Sequence, residues 1–204
     1  GLLPYFGCLE TTFGGHRLVV ARTGYTGERG YEVFGPSASA RDLWDAFLAA
    51  GATHGIEPCG LAARDVLRLE MGYPLYGQDL DPAHSPLEAG LDRAVAMDKG
   101  DFRGRAALER QRREGLPSRL RAIVTDERRN IPRAHQTVSV GGRAAGSVTS
   151  GTLSPTLGRG IALAYLSPAD AVAPGDAVDI DIRGRAAAAR VVDLPFVPRS
   201  PRGD

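Results

Sequence analysis

From residue 120 onward the chain falls into short apolar or alternating runs of strand length; before that it mixes two periods. The runs 120–125, 136–140, 144–149, 161–166, 177–182 and 186–192 all read as strands. Asp179-Ile180-Asp181-Ile182 is the cleanest, with one wet and one buried face. Gly141-Gly142 and Arg183-Gly184 fall between neighbouring runs, where two-residue hairpin turns form. Six short strands within about 80 residues predict a small antiparallel barrel or sandwich.

The first half reads differently. Residues 17–22 and 31–35 predict strands, and 38–50 a helix, with Leu43, Trp44, Phe47 and Leu48 at helical spacing and Gly51 as its stop. A second helix is expected over 61–71, with Gly72 just past its end; it sets Arg64 and Arg68 four residues apart on one face. Ser85-Pro86-Leu87-Glu88 forms a capping box that starts a short helix or turn. A third helix is expected over 104–114, ended by Gly115 with Pro117 beyond. The change of character places a domain boundary near residues 114–118, giving an α+β domain over 1–115 and a β domain over 116–204. The Pro-Arg-rich tail from Pro198 reads as loose.

Composition narrows the function classes. Among 204 residues, 25 are basic and 24 acidic, so the net charge of +1 shows no footprint for nucleic acid. The arginines of 103–113 alternate with Glu109 and Glu114 and read as a solvated helix face. No apolar run approaches the roughly 20 residues that span a bilayer, and the first ten residues lack the basic and apolar regions of a signal peptide. Two cysteines cannot build a disulfide framework or a four-ligand zinc site. Cys59 is read as a buried, inert thiol, and a cytoplasmic setting is expected. His54, His84 and His135 show neither a triad pattern nor metal-ligand spacing.

The stretch richest in candidate chemistry is Arg22-Thr-Gly-Tyr-Thr-Gly-Glu-Arg-Gly-Tyr-Glu32. Glycines at 24, 27 and 30 permit positive φ and close approach of a ligand, and the tyrosines offer flat faces with polar tips. Read alone, it is a hairpin whose glycines only serve the turn. It is no Walker loop, since no Gly-Lys-Ser/Thr follows.

Further strings follow in order: Cys59-Gly-Leu-Ala-Ala-Arg-Asp-Val-Leu-Arg-Leu-Glu70, Pro74-Leu-Tyr-Gly-Gln-Asp79, Ser85-Pro-Leu-Glu-Ala-Gly90, Ser147-Val-Thr-Ser-Gly-Thr-Leu-Ser-Pro-Thr156 and Leu194-Pro-Phe-Val197. Together with the glycine-rich stretch they resemble the aminomethyltransferase (T-protein) family of the glycine cleavage system, from about His16 to Val197. The family's folate-binding region begins well upstream of anything present here. The expectation is therefore a truncated enzyme: part of the folate-binding α+β domain, then a small antiparallel β-barrel.

The resemblance implies tetrahydrofolate as co-substrate, the lipoylated H-protein as partner, and no metal, nucleic acid or membrane. Glu32 and Arg64 match the family's folate contacts. A carboxylate suits the paired N–H donors on one pterin edge, and a guanidinium suits carboxylate or carbonyl acceptors. On the residues alone, Glu32 reads as an exposed strand end, and the alternative for Arg64 is an intrahelical ion pair. Tyr76, Arg133 and Arg199 are looser matches, and Arg68 either lines the same cavity or builds its wall. The family's Asp beside the reacting folate nitrogen lies in the upstream half, so no catalytic group is assigned, and this chain alone is expected to be inactive. Two alternatives remain: the folate domain of a dimethylglycine- or sarcosine-oxidising enzyme, and a non-catalytic truncated protein of the same fold. The Lys-Gly-Cys-Tyr-type motif of the iron–sulfur-assembly branch is absent.

Overall fold

The structure, a computed structural model, describes residues 3–169 and 172–198. Two compact units are present, dividing between Leu67 and Arg68. The tail beyond Pro198, expected to be loose, lies outside the described residues.

The first unit holds an antiparallel sheet of β1 (Cys8–Phe13), β2 (His16–Ala21) and β3 (Glu32–Phe34), in that order. The sequence pattern gave no warning of β1: its residues are almost all exposed, so no buried face imprints an alternation. It is set instead by the Gly14-Gly15 turn, both residues at positive φ, which pairs Phe13 with His16 and Cys8 with Ala21. Helix α1 (Ala40–Gly51) forms where its spacing predicts. None of its residues is buried, and Trp44 and Phe47 remain about half exposed. Cys59 corrects the sequence reading: it and Cys8 are both exposed free thiols.

Helix α2 (Leu61–Glu70) ends as expected. Gly72, at φ 70°, donates its N–H to Leu69 O (2.8 Å), and Tyr73 N–H donates to Arg68 O (2.9 Å). These two bonds satisfy carbonyls that the helix end leaves open. The second unit begins at that last turn. Its capping box closes a turn and starts no α-helix: Ser85 N donates to Glu88 Oε2 (3.0 Å) and Glu88 N to Ser85 Oγ (3.2 Å). Burial pushes the Glu88 carboxyl up. The hydrogen bonds from Ser85 and from Ser118 and Gln111 outweigh it, so the pKa lies below the ordinary value. Helix α3 (Arg105–Glu114) follows, with Arg105 paired to Glu109 at 2.8 Å.

Six strands then close into an antiparallel barrel: β4 (Arg119–Thr125), β5 (Thr137–Val140), β6 (Arg143–Ser154), β7 (Arg159–Leu166), β8 (Ala177–Asp181) and β9 (Ala186–Val192). Their order is β4-β7-β6-β5-β8-β9, and pairing of β4 with β9 (Ile123 opposite Val191) joins the edges. That pairing decides between barrel and sandwich. Strand β6 runs further than its pattern predicts, because a register shift between Val148 and Ser150 lets it continue along β7.

The barrel is filled by Ile123, Val138, Val148, Ala162, Ala164, Leu166, Val178, Ile180, Ala189 and Val191. A second apolar cluster joins Leu69 of α2 to Ala122, Ile161 and Leu163, which face outward from β4 and β7. Strand β7 is therefore buried along almost its whole length, which blurs its alternation.

Candidate functional site

The glycine-rich stretch forms the connection between β2 and β3, and both stronger site candidates are tied to it. Ala21 pairs with Glu32, so the stretch between them is closed at its base by the sheet. The Thr23 hydroxyl donates to Glu32 Oε2, directing an otherwise exposed carboxylate across the turn. Arg64, on the exposed face of α2, places its guanidinium 4.8 Å from the centre of the Tyr25 ring. A cation over an aromatic face at that distance contributes roughly 0.5–1 kcal/mol at an exposed site and limits where the guanidinium can point. Arg64 makes no ion pair with Glu70 or any other carboxylate among the described residues, so the intrahelical pairing does not form. Arg22 is buried, and its Nη1 donates to Leu3 O at 2.7 Å, anchoring the start of the stretch. The cavity against the stretch, lined by residues such as Tyr5, Thr23 and Gly27, measures about 10 Å³. That is room for about one water molecule.

The second unit places the weaker candidates differently. Arg68 is fully buried. Its Nη1 donates to Asp79 Oδ2 (2.7 Å) and Tyr73 O (3.2 Å), and its Nη2 to Ser150 Oγ (2.9 Å) and Gln78 Oε1 (3.3 Å). Asp79 also accepts from Leu75 N (2.9 Å), Ser150 Oγ (2.9 Å) and Thr149 Oγ1. Every strong donor and acceptor of the buried pair is thus engaged, which such a pair requires to persist. Tyr76 sits at the tip of the segment this pair holds and is 74% exposed. Arg133 is exposed in the β4–β5 connection, its Nη1 donating to Pro132 O and Gly151 O, each at 3.1 Å. Arg199 lies outside the described residues. Sequence reasoning missed Thr23 and Tyr25 as partners of Glu32 and Arg64, and Asp79 as the partner of Arg68. The only signal for Asp79 was its place in Pro74-Leu-Tyr-Gly-Gln-Asp79. No group of His, Cys, Asp and Glu among the described residues is arranged to hold a metal ion, and no helix there is long and apolar enough to cross a membrane.

Beside this network, Tyr165 donates its hydroxyl to Asp79 O (3.0 Å) and stacks on His84 at 3.7 Å between ring centres. Its phenol is pushed up from 10.0 to about 12, first by burial, then by the charges of Asp81, Glu88 and Asp79. A raised pKa means the folded state holds the proton more tightly. The resulting stability is present below pH 10 and is lost as pH rises through about 12. Tyrosinate absorbance should therefore show a late-titrating phenol that disappears in Tyr165→Phe. An unchanged titration curve in that variant would refute the assignment.

Comparison with known proteins fits this geometry. Residues 2–99 match the family model described as the GCVT N-terminal domain. Residues 119–198 match the glycine cleavage T-protein C-terminal barrel domain. The chain is 47% identical over 200 residues to an aminomethyltransferase of Streptomyces coelicolor, covering 97% of this chain and 54% of that protein. It is 49% identical over 201 residues to one of Streptomyces avermitilis, with the same shares covered. Among solved structures, the glycine cleavage system aminomethyltransferase T of Bartonella henselae superposes with a TM-score of 0.86 at 32% identity, over 97% of this chain and 54% of that one. The chain thus spans about half the length of the curated relatives it matches. With the two models covering sheet and barrel alike, the chain belongs to the glycine cleavage T-protein family.

Proposed function

We propose that this chain serves tetrahydrofolate-dependent aminomethyl transfer in the glycine cleavage system. The aminomethyl carbon arrives on the lipoyl sulfur of the H-protein. It passes to tetrahydrofolate, releasing ammonia and the reduced lipoyl carrier and leaving methylenetetrahydrofolate. The observation that carries this reading is the attachment of Glu32 and Arg64 to one glycine-rich turn, through Thr23 and Tyr25 respectively. In it Glu32 accepts from the N–H edge of the pterin and Arg64 offers its fork to an acceptor on the same ligand. The work asked of these groups is positioning: holding folate so that its nitrogen meets the incoming carbon. Tyr76, Arg133 and Arg199 are proposed as secondary contacts, and a cytoplasmic location is proposed with them. The division into domains 1–115 and 116–204 is proposed on the change of sequence character and on the separate spans of the two family models.

The test is titration of tetrahydrofolate against the parent, Glu32→Ala and Glu32→Gln, carried in a chain extended to its relatives' length. Glutamine keeps one acceptor and turns the other into a donor, so it is expected to bind at least as poorly as alanine. Equal affinity in all three would remove Glu32 from the site.

A further inference from the structure

A cleft of about 1010 Å³ opens on the barrel between the β4–β5 connection and the β8–β9 hairpin, away from any residue given a role above except Arg133. Its lining carries Arg129, Arg133, Arg183 and Arg185 against two carboxylates, Asp126 and Glu127. Both carboxylates are already engaged: Glu127 with Arg129 at 2.9 Å, and Asp126 with Arg190 at 3.6 Å. Arg133 contacts only backbone carbonyls. Arg183 and Arg185 make no side-chain hydrogen bond or ion pair among the described residues. Three of the cleft's guanidinium groups thus have no carboxylate partner among the described residues.

Three hydrogen bonds hold the hairpin that presents two of them. Ile182 N donates to Arg185 O (2.9 Å), Arg185 N to Ile182 O (3.3 Å), and Gly184 N to Asp181 Oδ1 (2.7 Å). Its two central residues both have positive φ, 57° at Arg183 and 77° at Gly184. Asn, Asp or Gly normally takes the first of these positions, because a longer L side chain is disfavoured there. Holding an arginine in that conformation is the kind of local strain that accompanies binding sites. Ala186, Ala187 and Ala188 line the cleft beside it and leave it open.

We infer that this cleft binds a small ligand bearing at least two phosphate or carboxylate groups. Planar guanidinium forks match both oxyanions in two-point geometry, and the volume exceeds what a single such group would fill. Two uncommitted arginines on one hydrogen-bonded hairpin set the requirement for more than one anionic group.

Calorimetric titration of the purified chain with tripolyphosphate and, separately, with citrate tests this and tells the phosphate source from the carboxylate one. Arg183→Gln and Arg185→Gln, both at exposed positions, should each weaken the tighter anion by about tenfold, with thermal unfolding unchanged. A charge-matched control, Arg112→Gln on the exposed end of α3, should leave affinity within about twofold if the cleft itself is responsible. Absence of binding by either anion would overturn the inference, as would an equal loss in the control. Binding of a short oligonucleotide that neither anion displaces would also overturn it.

Discussion

Asp79→Ala is expected to lower the unfolding free energy by about 3–5 kcal/mol, the cost of leaving one member of a buried ion pair unpartnered. Arg68 would keep its fully buried guanidinium and lose the 2.7 Å contact to Asp79. Ser150, Thr149 and the Leu75 N–H would lose an acceptor at the same stroke. Against a typical stability of about 5–15 kcal/mol, that is a large share. It corresponds to a fall in melting temperature on the order of 10 °C. Asp79→Asn should cost less, since an amide oxygen still accepts from Arg68 and the Leu75 N–H. Replacing Arg68 and Asp79 together with apolar residues of similar volume should recover much of the loss. Urea unfolding of the four proteins measures each step. An alanine variant within about 1 kcal/mol of the parent would show that the pair does not hold this region together.

The 204-residue chain assayed by itself is expected to form no measurable methylenetetrahydrofolate from tetrahydrofolate and aminomethylated H-protein. The candidate contacts, Glu32 and Arg64, are both exposed. Each charge-assisted bond they make with a ligand is worth roughly 1.5–3 kcal/mol. Immobilising the ligand costs about 4–15 kcal/mol, so two such bonds, about 3–6 kcal/mol together, cover only the low end of that cost. Water around an open site also weakens the electrostatics that would orient the reacting groups. The informative comparison is with a chain extended to its relatives' length, under identical conditions. Turnover by the 204-residue chain at a comparable rate would refute this expectation and locate all the necessary groups within it.

Much of the architecture was legible along the chain because it depends on stereochemistry within a few residues. Gly72 terminates α2 at positive φ, Gly141-Gly142 and Arg183-Gly184 turn their hairpins, and Asp179 to Ile182 alternates, because these constraints are local. The candidate site was legible only as residues in motifs; the contacts that direct Glu32 and Arg64 were not. Those contacts need β2 and β3 to pair and α2 to bring Arg64 over Tyr25.

The sequence by itself determined the three helices, the barrel's strands with the hairpins at Gly141-Gly142 and Arg183-Gly184, and the family motifs. Tertiary structure decided whether the strands made a barrel or a sandwich, since closure depends on β4 meeting β9 from the far end of the domain. It also decided the fate of Arg68, Leu69 and Glu70, three consecutive buried residues that a polar-apolar-polar reading would place at a surface. Arg68 reaches Ser150 and Glu70 reaches Ser154, partners more than eighty residues away. A charged side chain can leave water only where such partners replace it, and no local pattern records where distant partners will be.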